Sequence, residues 1–313
     1  MTERDRVTRR KFLKGSAAAG VGLAAATGLV FADDKPMPMR ALGKTGLKVS
    51  LAGLGCYPLG GGGVPEKQAI AVVRRAYELG INYFDTAESY GRGRSEVRVG
   101  KALKGIRDKV IVATKTLRYD KKGALEQLEG SLKRLQMERV DVWQFHALNS
   151  KKQMDQFLGE GGGLEAAVEA QKAGKIRFVG ITGHADPMDF VDAMKRHAFD
   201  TLLIPLNCID PHHRSFEKHA LPVANKNKVG VVAMKVFCSG RLPAKKIVDA
   251  KSCLQYTYGL PIATCIVGCD TVKQVELAAH VARNLKTLDE KQRDALRAKT
   301  LDHSPKLEWY KRA

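Results

Sequence analysis

The feature that most constrains the fold of this chain is a regular alternation of short apolar runs with longer amphipathic segments. The short runs have the length of buried strands, and the longer segments place apolar residues at helical spacing. Eight such units predict an α/β fold of the (β/α)8 TIM-barrel class rather than an open sheet. The predicted strands are 51–57, 81–85, 110–114, 140–146, 177–182, 201–206, 229–234 and 263–267. The predicted helices are 65–79, 95–103, 125–137, 164–173, 187–196, 216–225, 245–256 and 272–281.

Two further segments flank the alternation. Residues 40–50 precede it and predict an N-terminal β-hairpin, because glycines flank the turn. Residues 288–313 follow it and predict one more helix and a terminal segment. No low-complexity linker divides residues 33–313, so we expect a single barrel domain, present as a monomer.

A Rossmann dinucleotide-binding domain is the competing α/β fold. Gly53 and Gly55 begin a glycine-rich stretch, but Pro58 stands where the GxGxxG motif needs its third glycine. That glycine permits close packing of the helix on the strand. The stretch therefore does not favour this alternative.

The first 32 residues have the pattern of a targeting signal. Paired arginines, Arg9 and Arg10, precede a weakly apolar run rich in Ala and Gly at 15–31, which ends in small residues up to Ala32. This pattern predicts a twin-arginine signal peptide over 1–32, recognised by the twin-arginine export machinery and cleaved on export to the periplasm. A retained membrane anchor is the alternative, although the run is short for spanning a bilayer.

The chain is basic and contains six cysteines. Its net charge is +20, and residues 33–313 keep +16. Such a charge attracts anionic partners, including phosphorylated cofactors. The lysines are scattered and no nucleic-acid-binding motif accompanies them, so we expect no nucleic-acid partner. The cysteines lack CxxC spacing, and His212, His213 and His219 have no carboxylate at motif spacing, so we expect no metal site.

Polar residues close three successive predicted strands. Asp85 ends the second strand and Tyr90 follows it, Lys115 ends the third and His146 ends the fourth. The C-terminal ends of barrel strands meet on the rim that carries active sites. Reduction of a carbonyl by hydride transfer creates an alkoxide that an acid must protonate. Tyr90 can act as this acid, with Lys115 lowering its pKa, Asp85 orienting Lys115 and His146 orienting the carbonyl.

The stretches around these residues resemble the aldo-keto reductase family. The similar segments are FDTAESYG at 84–91, ATK at 113–115, DVWQFH at 141–146, LGKTG at 42–46 and IRFVG at 176–180. The resemblance covers nearly all of residues 40–285, and the catalytic tetrad of the family falls on Asp85, Tyr90, Lys115 and His146. It implies a reductase that transfers a hydride between a nicotinamide and a carbonyl or alcohol, with Tyr90 as the proton donor.

The resemblance also implies a cofactor site and a class of substrate. The expected cofactor is NADPH, with NADH as the alternative, and the expected substrate is a small carbonyl or sugar-like molecule. The residues expected to bind the cofactor are Gly55, Cys56, Tyr57, Asp85, Thr182, Asn207, Met234, Lys235, Gly268, Cys269 and Gln274.

Several cofactor positions depart from the family pattern. Thr182 and Gly183 replace a Ser-Asn pair, and Leu203 stands where the family often has Gln. Asp270 replaces a Ser in the phosphate-binding loop, where a carboxylate repels a ribose phosphate and Lys273 offsets the repulsion. These departures leave a second function open: an exported binding or accessory protein with weakened or tightly retained cofactor binding.

Overall fold

The computed structural model describes residues 35–312, so the predicted signal peptide and its cleavage site lie outside the described residues. Eight parallel strands form a closed barrel in sequence order, and the last of them pairs with the first to close it. The predicted barrel class is therefore confirmed. The barrel strands are β3 (Ala52–Gly55), β4 (Tyr83–Asp85), β5 (Ile111–Thr116), β6 (Val140–Phe145), β7 (Ile176–Thr182), β8 (Thr201–Pro205), β9 (Gly230–Met234) and β10 (Thr264–Gly268).

The predicted hairpin covers the N-terminal end of the barrel. It consists of β1 (Met39–Ala41) and β2 (Lys48–Ser50), which pair antiparallel. Leu42, in its turn, is buried among the side chains that fill the barrel. Gly43 has a φ of +55°, and a Cβ there would lie 2.3 Å from the backbone N of Gly230. The turn therefore needs glycine to approach β9 closely.

Helices surround the barrel, and their apolar faces pack on the outer faces of the strands. Apolar side chains also fill the barrel itself, as in other closed barrels of this size. The helices are α1 (Glu66–Glu78), α2 (Arg94–Leu103), α3 (Lys121–Leu135), α4 (Lys151–Leu158), α5 (Gly163–Lys172), α6 (Pro187–Arg196), α7 (Phe216–Lys226), α8 (Arg241–Ala244), α9 (Ala250–Tyr258), α10 (Val272–Arg283) and α11 (Glu290–Thr300). In the described part of the chain, none of them is long and apolar enough to cross a membrane.

Two helical regions differ from the sequence prediction. Helix α4, in the loop after β6, was not predicted. The helix predicted over 245–256 begins later, as α9, because the Asp249 side chain accepts a hydrogen bond from the backbone N of Ser252 at 2.9 Å and caps the helix there. The preceding residues form the short α8 and a break at Lys246, which has a φ of +56°.

The chain ends in a segment that returns across the barrel. We call residues 304–312, which follow α11, the C-terminal strap. Its Lys311 is fully buried and its ammonium donates to the Oδ1 of Asp210 at 2.7 Å, in the loop after β8. Glu308 lies 2.6 Å from the same ammonium. This buried ionic cluster holds the strap against the C-terminal side of the barrel.

Candidate active site

Strand register brings three of the predicted polar residues together on the C-terminal rim. Asp85 pairs with Ala113 across β4 and β5, and Lys115 pairs with Gln144 across β5 and β6. His146 follows the last residue of β6. Neighbouring strands thus end beside one another and aim these side chains at one spot.

Asp85 and Lys115 form a fully buried ion pair beneath this rim. The Lys115 ammonium donates to Asp85 and to the carbonyl of Thr86, the latter at 2.7 Å. Gln144 donates to the other Asp85 oxygen at 2.9 Å. Burial opposes the charged form of Lys115, but the charges of Asp85 and Tyr90 and the hydrogen bonds to them together outweigh burial and raise the pKa of Lys115. Lys115 therefore remains an ammonium at neutral pH.

Tyr90 lies directly over this ammonium. The Lys115 Nζ is 4.7 Å from the centroid of the Tyr90 ring, and the His146 ring lies edge-on at 5.9 Å. Tyr57, 60% exposed, packs edge-on against the other side of Tyr90 at 5.1 Å.

The pKa of Tyr90 differs from the sequence prediction. Burial of the phenol raises it to about 12, although the nearby charge of Lys115 lowers it. The sequence predicted a lowered value. Lys115 does lower this pKa, as predicted, but desolvation of the phenolate is the larger effect and makes the net shift upward.

His146 is neutral and held by its backbone. Burial, with the charges of Lys115 and Lys235 nearby, lowers its pKa well below the usual value. Its Nδ1 is buried and has no hydrogen-bond partner among the described residues. The Tyr119 hydroxyl donates to the His146 carbonyl at 2.6 Å. No sequence motif predicted this contact.

Thr182 and Asn207 were both expected to bind a nicotinamide carboxamide. The two side chains differ in whether they have a hydrogen bond left for it. Thr182 is buried, pairs in register with Leu203 and leaves its Oγ1 without a partner among residues 35–312. Asn207, by contrast, uses its whole side-chain amide. Its oxygen accepts from the backbone N of Ile209 and Asp210, at 3.2 and 3.0 Å.

The nitrogen of Asn207 is equally occupied. It donates to the Lys235 carbonyl at 2.9 Å and to the Tyr310 hydroxyl at 3.1 Å. A primary amide has two donors and two acceptor lone pairs, so none is left for a cofactor. We therefore correct the expected role: the Asn207 side chain ties the loops after β8 and β9 to the C-terminal strap.

The rim beyond Met234, the last residue of β9, is lined by Lys235 and by the strap. Lys235 has a φ of +60°, and its ammonium lies 5.8 Å from the centroid of the Tyr310 ring and 6.0 Å from that of Trp309. His184 lies edge-on to Tyr310 at 6.1 Å, and burial lowers its pKa to about 3. His184, Trp309 and Tyr310 are site residues that sequence reasoning did not assign.

The expected phosphate-binding side lies where β3 and β10 meet. Gly55 and Gly268 pair in register, and the Cys56 and Cys269 thiols beside them are buried, which raises their pKa values. The Gln274 side-chain oxygen accepts from the backbone N of Thr271 at 3.2 Å and so caps α10. That oxygen is not free for a ligand.

A nicotinamide cofactor fits this rim. The buried Oγ1 of Thr182, at the end of β7, has no partner among the described residues and is free to hydrogen-bond a carboxamide. Gly268, at the end of β10, is exposed and lies shortly before the N-terminus of α10, a position that favours phosphate groups. Within the described residues, no three His, Cys, Asp or Glu side chains lie together as a metal site would require.

Comparison with known proteins decides the family. The aldo/keto reductase family profile matches residues 52–298. The chain belongs to the aldo/keto reductase family. It is 34% identical to the aldo-keto reductase YhdN of Bacillus subtilis over 228 residues, which are 67% of this chain and 65% of that protein. It is also 34% identical to the L-galactose dehydrogenase of Arabidopsis thaliana over 293 residues, or 80% of this chain and 89% of the relative.

Solved structures of aldo-keto reductases share the fold. The holo form of AKR11C1 from Bacillus halodurans superposes with a TM-score of 0.71 at 26% identity, covering 84% of this chain and 96% of that one. An aldo-keto reductase from Klebsiella pneumoniae in complex with NADPH superposes with a TM-score of 0.70 at 22% identity, covering 85% and 95%. At 22% identity, the similarity to the Klebsiella pneumoniae structure supports the shared barrel fold alone.

Proposed function

We propose that this aldo/keto reductase transfers a hydride between a nicotinamide cofactor and a small carbonyl or alcohol substrate, with Tyr90 as the proton donor. The observation that carries the proposal is the Tyr90 phenol over the buried Lys115–Asp85 pair, with His146 beside it. Each of these four groups has a task in carbonyl reduction. Their placement on one rim allows all four to act at the same carbonyl group.

The residues of this chain would handle the proton and the orientation of the substrate. A bound reduced nicotinamide supplies the hydride. The Tyr90 hydroxyl gives its proton to the oxygen that was the carbonyl oxygen, and Lys115 limits the cost of the phenolate left behind. Neutral His146 donates a hydrogen bond to the same oxygen and sets its angle. Asp85 keeps Lys115 charged and in place.

Several observations bear on the cofactor and the substrate. Thr182 would hold the carboxamide, and the backbone at the exposed Gly268 would contact the pyrophosphate. NADPH is the cofactor that the family resemblance implies. We expect a sugar-like polyol or hydroxy-carbonyl substrate, because the relative named L-galactose dehydrogenase aligns over most of this chain and the neutral His146 and His184 offer hydrogen bonds on the rim.

The proposed place of action is outside the cytoplasm. The paired Arg9 and Arg10, followed by the apolar run at 15–31, support export by the twin-arginine machinery. Folded export would let the barrel acquire its cofactor before it leaves.

The test is cofactor binding followed by a single substitution. NADH and NADPH are titrated against the purified protein by fluorescence, and carbonyl reduction is assayed with whichever binds. Tyr90→Phe should lower kcat about 10²- to 10⁴-fold, because it removes a general acid, and leave the cofactor Kd within about twofold. Tyr77→Phe, on α1 away from the rim, is the matched control and should retain activity.

Two results would oppose the proposal. The first is that the purified protein binds no nicotinamide nucleotide in titration and releases none when it is denatured. That result would leave a binding or accessory role. Full activity in Tyr90→Phe would refute the role assigned to Tyr90.

A further inference from the structure

Asp270 occupies a fixed position between β10 and α10. Its backbone N donates to the Gln274 side-chain oxygen at 2.8 Å. Its carbonyl accepts from the Gln68 side chain, which projects from α1. The backbone is therefore held from both sides, and the carboxylate stands just before Thr271, the N-cap of α10.

The carboxylate of Asp270 is not satisfied by the protein. Its Oδ1 is buried without a hydrogen-bond partner, and within residues 35–312 neither oxygen has a donor or a cation at ion-pair distance. Lys273, in the first turn of α10, is exposed and forms no ion pair with it. A carboxylate accepts hydrogen bonds only, so the group that completes this site must be a donor or a cation.

The proposed cofactor would bring the adenosine ribose to this position, and the inference rests on the proposed function at this step. In barrels of this class, phosphates bind at the loops after the last two strands and at a helix N-terminus. A dinucleotide with its nicotinamide near Tyr90 and Thr182 and its pyrophosphate at Gly268 would continue past Asp270. Its adenosine half would then lie near the start of α10.

We propose that Asp270 makes the enzyme select NADH over NADPH. The free 2′-hydroxyl of the adenosine ribose in NADH donates a hydrogen bond to the carboxylate. The 2′-phosphate of NADPH has only acceptor oxygens and brings negative charge against a negative side chain. In other nucleotide-binding folds an acidic residue likewise marks the NAD ribose, whereas an arginine accepts the NADP phosphate. Asp270 thus reverses the preference that family resemblance implies.

Lys273 is the residue that would oppose this selection. Lys273 stands three residues after Asp270, in the first turn of α10, and its ammonium would attract a phosphate. It is exposed to water, however, where a single ammonium is strongly screened. The partly buried carboxylate therefore decides the preference.

The experiment measures Kd for NADH and NADPH by fluorescence with the full barrel, before any activity assay. The wild-type protein should bind NADH at least about tenfold more tightly. Asp270→Ser, which removes the charge and leaves a small hydroxyl, should bring the two Kd values together or favour NADPH. Asp270→Asn keeps an acceptor but removes the charge, so it should improve NADPH binding while largely preserving NADH binding. Lys273→Met is the matched control and should change the ratio less than about threefold.

The outcomes separate this inference from the proposed function. Tighter binding of NADPH by the wild type, or a ratio that Asp270→Ser leaves unchanged, would overturn the selection by Asp270 while leaving the reductase intact. Binding of neither nucleotide by any variant would refute the proposed function and, with it, this inference. Because the Asp270 side chain has no partner among the described residues, its variants should unfold at the same urea concentration as the wild type.

Discussion

At the scale of single residues, the phenol of Tyr90 is subject to two opposing influences. Burial raises its pKa to about 12, and the Lys115 ammonium 4.7 Å from the ring lowers it. The balance keeps Tyr90 protonated across the physiological range. A protonated phenol is the form needed to protonate an alkoxide, whereas the reverse reaction needs the phenolate as a base.

This balance predicts opposite pH profiles for the two directions. Carbonyl reduction should not depend on Tyr90 titration below pH about 12, because the acid form persists up to its pKa. Alcohol oxidation should rise about tenfold per pH unit towards that pKa, because the phenolate fraction rises by that factor. Initial rates in both directions at saturating cofactor would measure this. Parallel profiles would contradict the assigned acid–base role.

Lys115 provides the control for that profile. Lys115→Met removes the charge that lowers the Tyr90 pKa. The rate of alcohol oxidation at a fixed pH should therefore be lower than that of the wild type. The single variant leaves Asp85 buried without its counter-charge, so the double variant Asp85→Asn, Lys115→Met should be measured beside it. If both variants oxidise the alcohol at the wild-type rate at the same pH, Lys115 does not act on Tyr90.

Some site residues could be predicted and others could not. Asp85, Lys115 and His146 end predictable strands, and parallel strands end on the same rim, so their proximity follows from the alternation alone. The use of Asn207 does not follow, because its partner Tyr310 is 103 residues away and outside the repeating units. The direction of the Tyr90 pKa shift also required the structure, since it depends on how far the phenol is desolvated.

At the scale of elements, the C-terminal strap joins the chain end to the active-site rim. Lys311 is buried against Asp210 and Glu308, and it also donates to the His213 carbonyl at 2.6 Å. Asp210 in turn accepts from Ser215 at 2.9 Å, at the start of α7. These contacts fix the strap to the loop between β8 and α7 rather than leaving it loose on the surface.

Removing the Lys311 ammonium should destabilise the barrel substantially. Lys311→Met leaves two buried carboxylates uncompensated, and we expect the free energy of unfolding to fall by about 3 kcal/mol or more. Urea denaturation followed by tryptophan fluorescence would measure it. Lys306→Met, at an exposed position of the same strap, should change stability by less than about 0.5 kcal/mol. Equal effects of the two substitutions would show that the buried pair contributes little.

The accuracy of element prediction followed the strength of the periodic signal. The helix over Pro187–Arg196 has a proline at its first position and clear apolar spacing, and the predicted and observed bounds coincide. Helix α4 has only eight residues, of which just Met154 and Phe157 are buried, so its periodicity is too short to separate it from a loop. Its cap at Ser150 was the one local signal available.

At the scale of the whole molecule, the predicted export signal gives a direct test. Arg9→Lys together with Arg10→Lys keeps the charge but removes the arginine pair, so the protein should remain in the cytoplasmic fraction. Arg4→Lys with Arg6→Lys, in the same basic stretch, is the matched control and should still be exported. Cell fractionation with immunoblotting would measure both, and N-terminal sequencing would test cleavage after Ala32. Equal export of both variants would contradict the predicted route.

The burial of the cysteines has a consequence for what happens if the barrel ever opens. All six, Cys56, Cys208, Cys238, Cys253, Cys265 and Cys269, are buried and unpaired. The native state therefore needs no oxidative cross-linking. Unfolding in air, however, exposes six thiols at once, and random pairing among them would trap the chain before it refolds. The lifetime of this protein in an oxidising medium is then set by the height of its unfolding barrier, and a thiol reductant should convert irreversible thermal inactivation into a recoverable one.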